Sequence, residues 1–234
     1  MYKFNYHRCS SLSDARSQFS TFDEPRYIAG GLTLIPVLNL RLDRPSDLLD
    51  IGQLKELNGI EDEGEIISIG AITSHSEVAN SSVVQTKIPS LAKLVGGIGD
   101  PLVRNRGTIG GSLANNDPSA DYPCAVLGLG ATVHTDSRTI SADAYFEGAF
   151  TTALEEGEII TKVSFPVPKL AGYGRIAQPA SRFPLIGVFV AKTPNGPRVA
   201  VTGAGPGVFR VVEMEKALTA NWSADAIKDI SLDS

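Results

Sequence analysis

Cysteine is nearly absent: Cys9 and Cys124 are the two thiols of a 234-residue chain. Neither stands in a C-x-x-C pair, so zinc or iron–sulfur ligation by this chain alone is disfavoured and two buried free thiols are expected. Histidine is almost as scarce. His7, His75 and His134 are isolated, no nucleophile can be matched with a base, and each reads as a surface or internally satisfied histidine. If the chain takes part in chemistry, a cofactor carries it. Excess positive charge is also missing: 21 Lys and Arg against 26 Asp and Glu give a net charge of -5. Nucleic acid and anionic membranes are therefore poor partners. No run of about 18 apolar residues exists, and the start MYKFNYHRCSSLSDARSQF has no apolar signal core, so a soluble cytoplasmic protein is the expectation.

What is present is a core. Apolar residues make up 42% of the chain, which suits two or three modest domains. Leu12, Ala15 and Phe19 follow a run of serines at helical spacing. Tyr27 and Ile28 suggest a strand, Gly30 and Gly31 a turn, and Leu34, Val37, Leu38 and Leu42 a helix closed by Asp43, Arg44 and Pro45. SDLLDI reads as a strand and NGIEDEGEIISIGAIT as a loop feeding another. Ser74 to Glu77 has the form of a capping box, and Leu91, Leu94, Val95 and Ile98 make one apolar helical face closed by glycines. YPCAVLGLG fits a short buried helix, ATVHT and TIS a hairpin, and EGEIITKVSFPVP one more strand. A two-strand pattern around PNGP and a helix near Glu213 to Leu218 complete an α+β outline. Its units are residues 1–60, 61–168 and 169–234.

Glycine pairs occur twice in similar company, as IAGGLTL and as TIGGSLANN. Glycine lets another molecule approach the main chain, and a following helix start directs free N–H groups outward, so two such loops could hold a diphosphate between them. The competing reading is that both are tight turns, which one pair alone would favour and two pairs, each beside Thr or Ser hydroxyls, weaken. Thr108, Ser112, Asn115 and Asn116 cluster as hydroxyls and amides suited to a nucleotide. Asp121 could accept from a ribose or ribityl hydroxyl or cap the helix that follows. Arg104 and Arg106 could offset phosphate charge or stand on the surface. VAVTGAGPG imitates a dinucleotide fingerprint, but Val208 occupies the last glycine position of G-x-G-x-x-G and too little chain follows for another βαβ unit.

Four ordered stretches carry a resemblance: IAGGLTLIPVLNLRLDRPSDLLDI, RNRGTIGGSLANNDPSADYP, EGEIITKVSFP and YGRIAQPASRFPLIGVFVA. Together they resemble the flavin-binding medium subunit of the molybdenum hydroxylases, the group that includes bacterial carbon monoxide dehydrogenase and multi-subunit relatives of xanthine dehydrogenase. The resemblance implies FAD held by a two-subdomain α+β fold of the PCMH/VAO type, followed by a small α+β C-terminal domain. It implies that the backbone of Ala29, Gly30, Gly31, Leu32, Thr33 and Leu34, and that of Thr108, Ile109, Gly110, Gly111 and Ser112, hold the diphosphate. Asn115 and Asp121 match positions that contact the flavin nucleotide, and Ile160 matches a residue lying against the isoalloxazine ring. Arg175 falls where relatives often place a lysine near the ring's pyrimidine edge, and its planar fork is not equivalent to an ammonium.

The same resemblance implies two partners: a large subunit with the molybdenum cofactor and a small subunit with [2Fe–2S] clusters, arranged as a dimer of heterotrimers. Electrons would pass from those clusters to the FAD of this chain and on to an external acceptor. Neither glycine motif has an adjacent His or Cys, so non-covalent flavin is expected. Relatives usually continue past the position of Asp229 with a further helix, which implies a shortened C-terminal unit. A stand-alone FAD-dependent reductase on the same scaffold is the competing expectation, and a relative that has lost FAD is a third.

Overall fold

A computed structural model of the chain describes residues 1–231. Residues 232–234, the end of the expected C-terminal unit, lie outside the described residues. The chain opens with β1 (Asn5–Arg8), α1 (Leu12–Phe19), β2 (Pro25–Ile28), α2 (Leu34–Asn39) and β3 (Asp47–Asp50). The Ser11 hydroxyl caps α1 by accepting the N–H of Asp14 at 3.1 Å, as a serine before an apolar-periodic run should. The strands pair in parallel in the order β1-β3-β2, which their helical crossovers permit. Central β3 buries Leu48 and Leu49. A small core beneath it joins Cys9, Ala15, Leu49, Ile51, Leu54, Leu57 and Ile159.

The second sheet starts with β4 (Ile60–Asp62) and β5 (Ile66–Gly70). Six helices follow: α3 (His75–Asn80), α4 (Ser82–Lys87), α5 (Pro89–Gly96), α6 (Pro101–Arg106), α7 (Ile109–Asn115) and α8 (Asp121–Leu129). The expected capping box is present on α3, with Ser74 and Glu77 satisfying each other's backbone N–H. β6 (Thr132–Thr135) and β7 (Thr139–Ser141) form the hairpin, then come α9 (Ala142–Tyr145), β8 (Phe146–Gly148), β9 (Thr151–Thr152) and β10 (Ile160–Pro166). The five-stranded antiparallel order is β4-β5-β10-β6-β7. Alternation sends Ile67, Ile69, Val133, Val163 and Phe165 into the core and leaves Ser68, Ser164 and His134 hydrogen-bonded on the opposite face.

The last sheet comprises β11 (Leu170–Ala177), β12 (Pro184–Thr193), β13 (Gly196–Thr202) and β14 (Phe209–Arg210), followed by α10 (Val212–Ala220). Its inner residues Tyr173, Phe189, Ala191 and Ala200 enter the same core as the second sheet and α8. The Cys124 thiol of α8 donates to the Ala200 carbonyl at 3.2 Å. Both cysteines are buried and free. No helix among the described residues is long and apolar enough to cross a membrane.

One buried carboxylate ties the β6–β7 turn to the segment before β10. Glu158 accepts from Arg138 Nε at 2.9 Å, Thr135 Oγ1 at 2.6 Å, Ser137 Oγ at 3.0 Å and the Glu155 N–H at 2.7 Å. These donors, Arg138 foremost, pull its pKa down to about 2. A folded pKa below the unfolded one adds stability that is complete above about pH 5 and lost as pH falls towards 2. Glu158→Gln is expected to flatten that acid limb of the stability curve, measurable by urea unfolding at a series of acidic pH values.

Candidate functional site

The first sheet, α6, α7 and the turn between β11 and β12 enclose a cleft of about 850 Å³, within the range of about 300–1,000 Å³ usual for small-molecule sites. Ala29, Gly30, Gly31, Leu32, Thr33 and Leu34 border it, as do Thr108, Gly111, Ser112, Asn115 and Asp121. The two glycine motifs thus face one space, one from the end of β2 and the other from the start of α7.

They are not equivalent. After β2 the chain turns through Gly31, whose φ of +79° suits glycine. Among the described residues the N–H groups of Gly30 to Leu34 find no protein acceptor; the first bond of the turn comes from Ile35 to the Gly31 carbonyl. Five consecutive donors therefore remain free, an arrangement suited to an anion. In the second motif the backbone is already committed. Ile109 N–H donates to Thr73, Gly110 N–H to Ala71 and Ser112 N–H to Thr108, each to a carbonyl. Gly111 N–H is capped by Thr108 Oγ1 at 3.1 Å. What this motif offers the cleft is the Ser112 hydroxyl and the Asn115 amide. Ile109 and Gly110 lie behind the wall. A Cβ on Gly110 would meet the Ala71 Cβ at 2.7 Å and its carbonyl oxygen at 2.8 Å, so that glycine serves close packing.

The two loops are pinned together by close backbone contact. A Cβ on Gly30 would stand 2.0 Å from the Arg106 carbonyl oxygen and 3.2 Å from Gly107 Cα. Gly111 is the opposite case, since only Thr108 Oγ1 at 2.9 Å lies near its missing Cβ. Gly111→Val is expected to fill cleft space, lowering the flavin bound per chain at least about tenfold, and to cost the flavin-free chain about 0.5–2 kcal/mol because its Cβ crowds the Thr108 cap. Absorbance of the purified variant and a thermal scan check both halves.

Asp121 is the first residue of α8, and Ala120 is the cap, which corrects the local reading of Asp121 as an N-cap. Its carboxylate turns to the third sheet instead. Arg175 Nη1 approaches Oδ1 at 2.8 Å and Oδ2 at 2.9 Å, and the Tyr173 hydroxyl donates to Oδ1 at 2.6 Å. Arg175 also donates to the Gly97 carbonyl. Burial pushes the Asp121 carboxyl up, opposed by Tyr173 and Arg175. Arg175 does not itself border the cleft and reaches it through Asp121. Ile160 is 5% exposed and packs in the main core, likewise behind the wall.

Further readings change. Asn116, grouped with the cleft amides from sequence, is 1% exposed in the left-handed conformation and donates to Gly148 and Thr151 carbonyls at 2.8 and 2.7 Å. Arg104 supports the cleft rim by donating to the Ile98 and Gly99 carbonyls at 2.9 and 3.1 Å. His75 borders the cleft, buried, with its Nδ1 unpartnered, so it is neither a surface nor a satisfied histidine. His7 and His134 have partners in Asp47 and Ser164. Arg26, Arg182 and Phe183 also border the cleft and carry no local sequence signal. VAVTGAGPG ends a strand, with Gly203 donating to the Pro118 carbonyl.

Comparison with known proteins agrees with this geometry. Residues 2–168 match the family described as FAD binding domain in molybdopterin dehydrogenase. The glyceraldehyde dehydrogenase medium chain of Sulfolobus acidocaldarius is 35% identical over 98% of this chain and 86% of its own length. The nicotine 6-hydroxylase medium subunit of Paenarthrobacter nicotinovorans is 35% identical over 91% and 78%. Among solved structures, carbon monoxide dehydrogenase from Hydrogenophaga pseudoflava superposes with a TM-score of 0.91 at 31% identity, covering 97% of this chain and 84% of that one. The chain belongs to the family of FAD-binding domains of molybdopterin dehydrogenases. It is an FAD-binding medium subunit of an oxidoreductase of that class.

Proposed function

We propose that this chain is the electron-transfer subunit of a cytoplasmic molybdenum hydroxylase, taking electrons from the [2Fe–2S] clusters of a small subunit and delivering them to an external acceptor. A large subunit with the molybdenum cofactor oxidises the substrate, and the complex is a dimer of heterotrimers. The observation that carries the reading is the row of free N–H groups from Gly30 to Leu34, pinned against the second glycine motif across a cleft of dinucleotide size. FAD supplies the ability to accept electrons singly and release them in pairs.

Everything else in the site is positioning. The backbone of residues 30–34 binds the diphosphate, Ser112 and Asn115 orient the adjoining hydroxyls, and Asp121 accepts from a ribityl or ribose hydroxyl. Tyr173 and Arg175 hold that carboxylate in place. Leu32, Ile98, Val103 and Phe183 give the cleft an apolar lining. Exposed Ile176, Phe183 and Leu185 flank the β11–β12 turn beside the cleft, an apolar group that supports docking of a partner there. Purification with all co-purifying chains tests the reading. Flavin absorbance together with iron and molybdenum is expected, whereas flavin with neither metal would turn the assignment to a stand-alone flavoenzyme.

A further inference from the structure

One polar side chain in the cleft wall has no role in the account above. The His75 imidazole is 5% exposed, tilted against Tyr122 with ring centroids 5.3 Å apart. Its Nδ1 is sealed from solvent and has no hydrogen-bond partner. Nε2 has none among the described residues either, and it stands beneath Gly107: a Cβ on that glycine would lie 2.6 Å from Nε2. Gly107 and His75 both border the cleft, so the missing side chain leaves a window through which Nε2 reaches the cleft. Gly30 abuts the same Gly107. The free N–H groups of the first motif therefore begin next to the window.

The ring is neutral, because burial and the nearby Arg104 push its pKa down to about 4. A neutral imidazole carries one N–H. Placed on Nδ1, that hydrogen would be a buried donor facing no acceptor, which carries the full desolvation cost. Placed on Nε2, it points to the window and leaves only a lone pair unmatched inside.

We propose that His75 donates its Nε2–H to a diphosphate oxygen of the bound dinucleotide, adding a side-chain donor to the backbone row of residues 30–34. The inference rests on the FAD reading above. It also gives Gly107 a function, since any side chain there would close the window.

The test titrates the flavin-depleted full chain with FAD and, separately, with ADP, which retains the diphosphate and lacks the flavin. His75→Leu is expected to raise both dissociation constants about 10- to 100-fold, the loss of a charge-assisted hydrogen bond. His75→Gln, whose amide nitrogen can reach the Nε2 position, is expected to stay within about threefold of the unmodified chain, and His75→Asn, whose amide sits near Nδ1, to behave like leucine. Melting temperatures of the flavin-free variants report any purely structural role and should not follow the Leu, Asn and Gln ranking. Equal FAD affinity in the Leu and Gln variants overturns the proposal, as does unchanged ADP affinity in the Leu variant. If His75→Leu fails to fold, the Asn and Gln pair decides alone. An unmodified chain that binds neither FAD nor ADP defeats the underlying cofactor reading, whereas binding that is indifferent to residue 75 defeats this inference only.

Discussion

Gly30→Ala is expected to strip the protein of flavin, with a loss of FAD affinity of at least about 100-fold from the addition of one methyl group. The new Cβ would stand 2.0 Å from the Arg106 carbonyl oxygen. A flexible side chain could yield to such a contact, but a backbone carbonyl cannot turn away without moving α6 and the loop after it. The two motifs must part, and the row of N–H groups from Gly30 to Leu34 no longer faces Ser112 and Asn115. Overpacking also costs about 1–3 kcal/mol of stability, so the melting point falls with the flavin content. Gly31→Ala provides the contrast. Its backbone is left-handed at φ +79° and its nearest neighbour is the Ile35 side chain at 3.2 Å, so strain of about 1–2 kcal/mol is expected with the loops still together. Equal flavin content in the two variants would remove the pin from the explanation.

Arg175→Met is expected to destabilise the chain by about 3–5 kcal/mol, the usual consequence of removing one partner from a buried ion pair. That corresponds to about 6–20 °C in melting temperature for a chain of this size. Asp121, itself 5% exposed, would keep only the Tyr173 hydroxyl. Its carboxyl already lies above the ordinary range because of burial, and without the guanidinium it rises further. A raised folded pKa for an acid means stability present at low pH and lost as pH rises through that value, so the deficit of the variant should widen from about pH 4 towards neutrality. Asp121→Asn in the same chain should recover part of the loss. Arg175→Lys keeps the charge but cannot serve both carboxylate oxygens and the Gly97 carbonyl with one planar fork, and should fall between. The carboxylate and the third sheet are coupled by this pair, so FAD content should drop in parallel with stability.

The contrast between these two sites bears on what the sequence discloses. Elements whose signal is local were legible: the Ser74–Glu77 box, the amphipathic run into α5, the β6–β7 hairpin, and α8 closed by Gly130 in the left-handed conformation. The two glycine motifs were visible too, but not their division of labour. Whether an N–H is free depends on which distant carbonyl takes it, and Thr73 and Ala71 claim those of Ile109 and Gly110. For the same reason TIGGSLAN is legible from sequence as a glycine loop but not as α7 itself, a helix in which Gly110 gives room for close packing against Ala71. The short strands β8 and β9, the long strand β11 and the helix α6 had too little periodicity to stand out. Asp121 and Arg175 are 54 residues apart, and nothing local marks either as the other's partner. His75 belongs to the same category, since its burial is decided by Tyr122 and by a glycine in another helix–loop junction.

The unequal cores have a consequence for how the molecule comes apart. The second and third sheets share one large apolar cluster, whereas the first sheet rests on a separate cluster of seven buried residues, to which the segment before β10 contributes only Ile159. Cooperativity should follow that division, with the N-terminal sheet able to open at lower cost than the remainder. The cleft runs along the seam. A dinucleotide bound there acts as a rivet, adding its binding free energy to the weaker half. Flavin-free chain should then show an early, separate loss of the β1–β3 sheet on heating, and loaded chain a single later transition.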